Sequence, residues 1–171
     1  MEARIMRNDG SWADIGEVGE VVLKGKSVCK GYLNEAQTKE AFDDQGYYHT
    51  GDLAKMDEDG YVSICGRLKD IIIRKGENIS ALEIEELLMD YPGIKGLAII
   101  GLPDEERGER VCAVLEKMEQ KLELSDITKF LTDKGLMKIK LPEQLEFVDE
   151  LPKSQALGKV SKKELIAKFA S

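Results

Sequence analysis

Short apolar runs separated by Asp/Gly clusters fill the first part of the chain. Val18 to Leu23, following Gly16, reads as a strand. Asn8-Asp9-Gly10, Asp43-Asp44-Gln45-Gly46 and Asp57-Glu58-Asp59-Gly60 are turn sequences in which glycine supplies positive φ. The last of them joins Asp52–Met56 to Tyr61–Cys65 as a hairpin. After Arg67 the period changes. Asp70–Arg74 is a β-branched strand, and Ser80 then opens a helix with Ile84, Leu87, Leu88 and Tyr91 on one face. Ser80 with Glu83 has the spacing of a capping box, and Pro92-Gly93 ends the helix. Strands are predicted at Leu97–Gly101, Arg110–Leu115 and Leu145–Val148. A second helix runs from about Ser125 to Lys134, with Ile127, Phe130 and Leu131 inward. A third carries Leu165 and Phe169 behind a Ser161–Glu164 cap. The expected fold class is α+β: a small β-rich segment over residues 1–68, then a compact domain over 69–171 with a sheet covered by helices.

Composition narrows the functions available. The 171 residues are 42% hydrophobic and 34% charged, ordinary for a globular protein that buries a core. A net charge of −8 gives no broad attraction to nucleic acid or to an anionic membrane. The basic tail Lys159, Lys162, Lys163, Lys168 reads on its own as a solvated helix face. Cys29, Cys65 and Cys112 are far apart and share a single histidine, which argues against a zinc site or a disulfide framework and suits a reducing cytoplasm. The opening stretch, with Glu2, Arg4, Arg7 and Asp9, is no signal peptide, and no apolar run reaches membrane-spanning length.

Several segments carry candidate chemistry. Gly25-Lys26-Ser27 imitates the end of a phosphate loop, yet Glu20 stands where the leading glycine belongs and no helix opens at Lys26. The acidic turn at Asp57 lacks the further ligands of a calcium loop. In Tyr47-Tyr48-His49-Thr50-Gly51-Asp52, a carboxylate just after a Thr-Gly turn can accept two hydrogen bonds from a ribose diol. A turn aspartate capping its own backbone fits the same spacing. His49 has no Ser or Cys partner by spacing and reads as a hydrogen-bonded structural histidine. In Gly66-Arg67-Leu68-Lys69-Asp70, the guanidinium could grip a phosphate or ribose, or simply pair with an aspartate on the surface. Gly76 lies between a strand and a capped helix, where the backbone needs positive φ or close approach to a ligand. In Pro152-Lys153 to Gly158-Lys159-Val160, a lysine after glycine on a loop can place one charge between a carboxylate and a phosphate.

Their order is more telling than any one of them. Gly19-Glu20-Val21, Lys30-Gly31-Tyr32-Leu33-Asn34, Thr38 and Phe42, Tyr48-His49-Thr50-Gly51-Asp52, Gly66-Arg67-Leu68-Lys69-Asp70, Gly76-Glu77-Asn78-Ile79 with Glu83-Ile84-Glu85, and Pro152-Lys153 to Gly158-Lys159-Val160 follow one another along the whole chain. In sequence and spacing they resemble the adenylate-forming superfamily of acyl- and aryl-CoA synthetases, luciferase and peptide-synthetase adenylation domains. The resemblance implies a large N-terminal domain that binds ATP and a carboxylic acid, and a mobile C-terminal domain that swings over it. Residues 1–68 would then be the end of the large domain's distorted barrel, and 69–171 the mobile domain. It implies that Asp52 holds the ribose hydroxyls, Arg67 contacts ribose and phosphate, and Lys69 is the hinge. Gly76, Glu77 and Asn78 match the loop used in thioester formation, and Lys159 matches the lysine that bridges the acid and the phosphate during adenylation. ATP and CoA are the implied substrates, with Mg2+ whose ligands lie outside these residues.

Two departures qualify that match. The loop from Pro152 to Lys159 is one residue longer than the family spacing, with Gln155 or Ala156 as the extra, and no Ser/Thr/Gly-rich phosphate loop or Tyr-Gly-x-Thr-Glu segment is present. The expectation is therefore a C-terminal fragment of an ATP-dependent fatty- or aryl-acid–CoA ligase, inactive alone and partnered by the missing N-terminal domain. An acid–AMP ligase that loads the phosphopantetheine of a carrier protein is one alternative. A non-catalytic module that binds CoA or a carrier protein is the other.

Overall fold

A computed structural model of the chain describes residues 1–119, 121–154 and 158–170. The chain divides into two compact units, Met1–Lys69 and Asp70–Ser171.

In the first unit β1 (Glu2–Met6), β2 (Gly19–Lys24), β3 (Tyr48–Met56) and β4 (Val62–Arg67) pair antiparallel in chain order. Alternation sorts their side chains: Ile5, Val21 and Ala54 cluster on one face, Met6, Val22 and Tyr47 on the other. The aspartate turns act through their side chains. Asp57 Oδ1 accepts from the Asp59 and Tyr61 N–H groups at 3.0 and 2.9 Å, and the β3–β4 register begins at Met56↔Val62. Asp43 does the same for Gln45 and Tyr47. The strand β1 and the helix α1 (Glu35–Ala41) are not apparent from the sequence pattern. The helix buries no residue, so it shows no apolar stripe, and Asn34 caps it by accepting from Ala36 N at 2.9 Å.

The second unit is built on one long antiparallel pair, β7 (Leu97–Asp104) with β8 (Gly108–Glu116). The other edge of β8 is shared. It meets β5 (Ile71–Arg74) only at Arg74↔Gly108, and runs parallel to β9 (Gln144–Val148) from Cys112 to Glu116. β5 continues into β6 (Glu77–Ser80), a hairpin partner absent from the sequence reading, which places these residues in a strand-to-helix loop. Four residues without an apolar run give no period to read; pairing with β5 makes the strand.

Both faces of the central pair are buried. Ile99, Val111, Ala113 and Leu115 pack with Ile84 and Leu88 of α2 (Ala81–Met89) and Ile127 and Leu131 of α3 (Leu124–Asp133). Ala98, Ile100, Leu102, Cys112 and Val114 pack with Leu165 of α4 (Lys162–Phe169). Continuous apolar runs in β7 and β8 are what a doubly covered sheet requires. Ser80 Oγ accepts from Glu83 N at 3.3 Å, as the expected cap requires, while the Glu83 carboxylate takes Lys140 Nζ at 2.6 and 2.9 Å. The expected Ser161 cap is corrected: its side chain makes no capping bond, and its backbone N–H is given to Pro152 O at 2.7 Å.

Candidate functional site

The first cluster forms where β3 bulges. Glu20 pairs with Leu53 and Val22 with His49, so Thr50-Gly51-Asp52 stand opposite Val21 alone. Extra residues on one strand bend it and re-aim its side chains. Gly51 takes φ +72, which its missing Cβ allows. Thr50 Oγ1 donates to Val21 O at 2.7 Å and accepts from Asp52 N at 3.0 Å. Glu20 holds the bulge with both carboxylate oxygens: Oε1 accepts from Gly51 N at 2.8 Å and Oε2 lies 2.7 Å from His49 Nδ1.

Asp52 emerges opposite Arg67, whose Nε donates to Asp52 Oδ1 at 2.8 Å. Their side chains are 32% and 44% exposed, and among the described residues neither has another side-chain partner. Among the described residues Asp52 Oδ2 and the outer Arg67 nitrogens make no hydrogen bond. A carboxylate acceptor beside a planar cationic donor suits a vicinal diol next to a phosphate. The surface Arg–Asp pair weighed for Arg67 does exist, made with Asp52 across the ladder. Tyr48, the first residue of β3, joins its hydroxyl to that of Tyr32 at 2.9 Å, and that bond together with burial pushes the Tyr48 phenol up to about 12.

Lys69 lies in a single 3-10 turn, Leu68–Asp70, exposed, at the last residue of the first unit. Gly76, Glu77 and Asn78 sit on the β5–β6 hairpin. Arg74 pairs with Glu77, leaving Lys75-Gly76 as a two-residue turn with φ +51 and +81. Positive φ at both central residues is the type I′ signature. Ile72 and Ile79 anchor one face of the hairpin in the core, while Gly76, Glu77 and Asn78 are exposed. No atom lies within 4 Å of where a Gly76 Cβ would sit, so the need for glycine is conformational rather than steric.

Lys159 is exposed at the end of a loop closed by the Lys153↔Val160 bridge. Ser154 N donates to Lys159 O at 2.8 Å, and Gly158, at φ +62, donates its N–H to Ser154 O at 2.9 Å. The extra loop residue expected at Gln155 or Ala156 lies outside the described residues. The structure thus brings Asp52 and Arg67 into contact, sets Gly76, Glu77 and Asn78 on one tip, and leaves Lys159 on a separate loop. No hydrogen bond or ion pair joins that loop to the tip among the described residues. Among these residues no group of three or more His, Cys, Asp or Glu could hold a metal ion. Sequence reasoning missed Glu20 as the holder of the Asp52 bulge. Its only signal was its place in Gly19-Glu20-Val21, since nothing local ties it to Gly51.

In chain order, a bulged sheet that ends in an Asp–Arg pair is followed by a helix-covered α+β unit. Residues 83–159 match the family described as AMP-binding enzyme C-terminal domain. Over 147 residues the chain is 41% identical to the medium-chain fatty-acid–CoA ligase of Escherichia coli K12, covering 84% of this chain and 26% of that protein. It is 40% identical over 156 residues to the vibriobactin-specific 2,3-dihydroxybenzoate-AMP ligase of Vibrio cholerae, covering 90% of this chain and 28% of that one. The crystal structure of ATP-bound MatB from Rhodopseudomonas palustris matches with a TM-score of 0.88 at 36% identity, covering 99% of this chain and 34% of that chain. The chain belongs to the adenylate-forming family of AMP-binding enzymes. It spans about a quarter to a third of the length of these relatives. No helix among the described residues is long and apolar enough to cross a membrane.

Proposed function

We propose that this chain is the C-terminal portion of an ATP-dependent acid–CoA ligase acting on a fatty or aryl acid. The observation that carries the reading is the half-exposed pair of Asp52, on the bulged strand β3, and Arg67, opposite it on β4. In the first half-reaction a carboxylate oxygen attacks the α-phosphorus of ATP and pyrophosphate leaves. Asp52 accepts from the ribose hydroxyls, Arg67 grips ribose and phosphate, and Lys159 lies between the acid and the phosphate. Lys159 acts there by charge and position, because two anions must meet without a proton to move.

In the second half-reaction the thiol sulfur of CoA attacks the acyl carbon, its proton passes to solvent, and AMP leaves. The hairpin tip Gly76-Glu77-Asn78 serves this step, and Lys69 is the hinge on which the second unit, the mobile domain, turns between the two. Mg2+ would accompany the ATP phosphates on residues outside this chain.

A second reading, an acid–AMP ligase that passes the acyl group to carrier-protein phosphopantetheine, is favoured by the 40% identity to a dihydroxybenzoate-AMP ligase. The test uses the full-length protein that contains this chain. Acid-dependent ATP–pyrophosphate exchange is expected, followed by acyl transfer to CoA. Exchange followed by transfer only to a phosphopantetheinylated carrier would favour the second reading. No exchange with any of a panel of fatty and aryl acids would overturn both and leave a non-catalytic module.

A further inference from the structure

The β5–β6 hairpin is joined to the sheet by very little backbone pairing. Its ladder with β8 consists of Arg74↔Gly108 alone, and the N–H groups on either side of that bridge are taken by other means. Lys75 N donates to Arg107 O at 2.8 Å, in the β7–β8 turn. Ile73 N donates to Glu109 Oε2 at 2.6 Å. The turn that offers the Arg107 carbonyl is itself fixed, because Asp104 Oδ1 accepts from Glu106 N and Arg107 N at 3.1 and 2.9 Å. Below the bridge, Arg74 donates to Ile139 O and to Glu143 Oε1, the latter at 2.6 Å.

The Glu109 bond depends on a vacant side-chain position elsewhere in the sheet. Gly101 pairs with Val111 and Pro103 with Glu109, so Glu109 and Gly101 are diagonal neighbours on one face of the β7–β8 ladder. A Cβ on Gly101 would stand 2.8 Å from Glu109 Oε1 and 3.2 Å from Oε2. Glycine therefore has a purpose in this strand interior, where it otherwise weakens pairing: it leaves the bay in which the carboxylate lies while reaching the Ile73 N–H. A charged acceptor makes a stronger bond to a backbone N–H than a neutral one.

We propose that Glu109 is a positioning residue for the Gly76–Asn78 loop, its carboxylate seated over Gly101 and holding the hairpin to the sheet through Ile73. The link from that loop to thioester formation rests on the function proposed above; the fastening itself does not. Glu109 touches no substrate in this account. It sets where the tip stands, and a displacement of about 1 Å at a reacting group can cost on the order of 100-fold in rate.

The experiment uses the full-length protein and four forms of it: native, Glu109→Ala, Glu109→Gln and Gly101→Ala. Amide hydrogen exchange is read across 71–80, with the amides of α2 and α3 as the measure of general stability. In Glu109→Ala, exchange over Ile73–Asn78 should rise about 10-fold, the weight of one net hydrogen bond, with α2 and α3 unchanged. Gly101→Ala should do the same although it keeps the glutamate, because the new methyl group pushes the carboxylate off its seat. Glu109→Gln keeps an acceptor oxygen and should stay within about 3-fold of native. Unchanged hairpin exchange in Glu109→Ala, or a rise spread equally over α2 and α3, overturns the proposal. Rates of pyrophosphate exchange and of thioester formation are then measured on the same samples. A fall of about 10- to 100-fold in thioester formation alone is the expected companion. If the hairpin loosens and that step is untouched, the fastening stands and the assignment of the loop to thioester formation fails.

Discussion

Glu85 should contribute strongly to the stability of the second unit, and its weight follows bond by bond. It projects from α2, yet its Oε1 accepts from the backbone N–H of Ile99 in β7 at 2.8 Å. Lys162, the first residue of α4, brings Nζ to the same oxygen at 2.7 Å. Since α2 and α4 lie on opposite faces of the sheet, the pair closes around the outer edge of β7 and satisfies a donor on a fully buried residue. Both side chains are only 20% exposed, so water screens the pair weakly. Glu85→Ala leaves the Ile99 N–H unpaired, a loss of about 1–3 kcal/mol. Cutting the mostly buried ion pair adds about 1 kcal/mol, for a total of roughly 2–4 kcal/mol. For a unit of this size that corresponds to a fall in Tm of roughly 10 °C or more. Glu85→Gln keeps the acceptor and should lose about 1 kcal/mol, the charge part only. Urea unfolding of native and variant proteins checks both numbers. A loss below about 0.5 kcal/mol in Glu85→Ala, or equal losses in Ala and Gln, would refute the reasoning.

Other substitutions test separate parts of the structure. Lys75 carries the only positive φ outside glycine among the described residues, and Lys75→Asn creates the preferred type I′ pair Asn-Gly, so it should stabilise the hairpin by about 0.5–1 kcal/mol in the same unfolding assay. Burial pushes the Cys112 thiol up to about 12, so its contribution to stability is complete below about pH 9 and is lost as pH rises toward 12. At pH 8 a thiol reagent should label exposed Cys29 at once and Cys112 only on unfolding; simultaneous labelling would contradict the packing of β8. In the full-length protein, Lys159→Ala should slow adenylation by about 10²–10³ while leaving thioester formation from a supplied acyl-adenylate largely intact. Equal losses in both steps would remove Lys159 from its proposed role.

The elements with a strong period of their own were legible in the sequence. Ile84, Leu87, Leu88 and Tyr91 announce α2, and the apolar runs of β7 and β8 announce the central pair. What escaped depends on partners far along the chain. The strand β6 exists because Glu77–Ser80 pairs with Ile71–Arg74, and α1 is set by one asparagine cap rather than by a buried face. The same division holds at the candidate site. Asp52 and Arg67 stand out by their motifs, but Glu20 gains its place only when β2 pairs with a bulged β3 and brings its carboxylate to Gly51. Glu109 is legible only once Gly101 is known to lie diagonally across the ladder.

The central claim is that one small unit serves two half-reactions by turning about Lys69, and a single substitution tests it without knowledge of the acid. Lys69→Pro fixes φ near −65° and restricts Leu68 before it, at the 3-10 turn that ends the first unit. Neither residue is part of a buried cluster, so both units should stay folded. The decisive measurement is pyrophosphate exchange and CoA thioester formation on one preparation of full-length Lys69→Pro. The account predicts that the two rates part by about 10-fold or more, with adenylation retained and transfer lost. A parallel, modest fall in both would contradict it and leave Lys69 a solvated lysine in a turn.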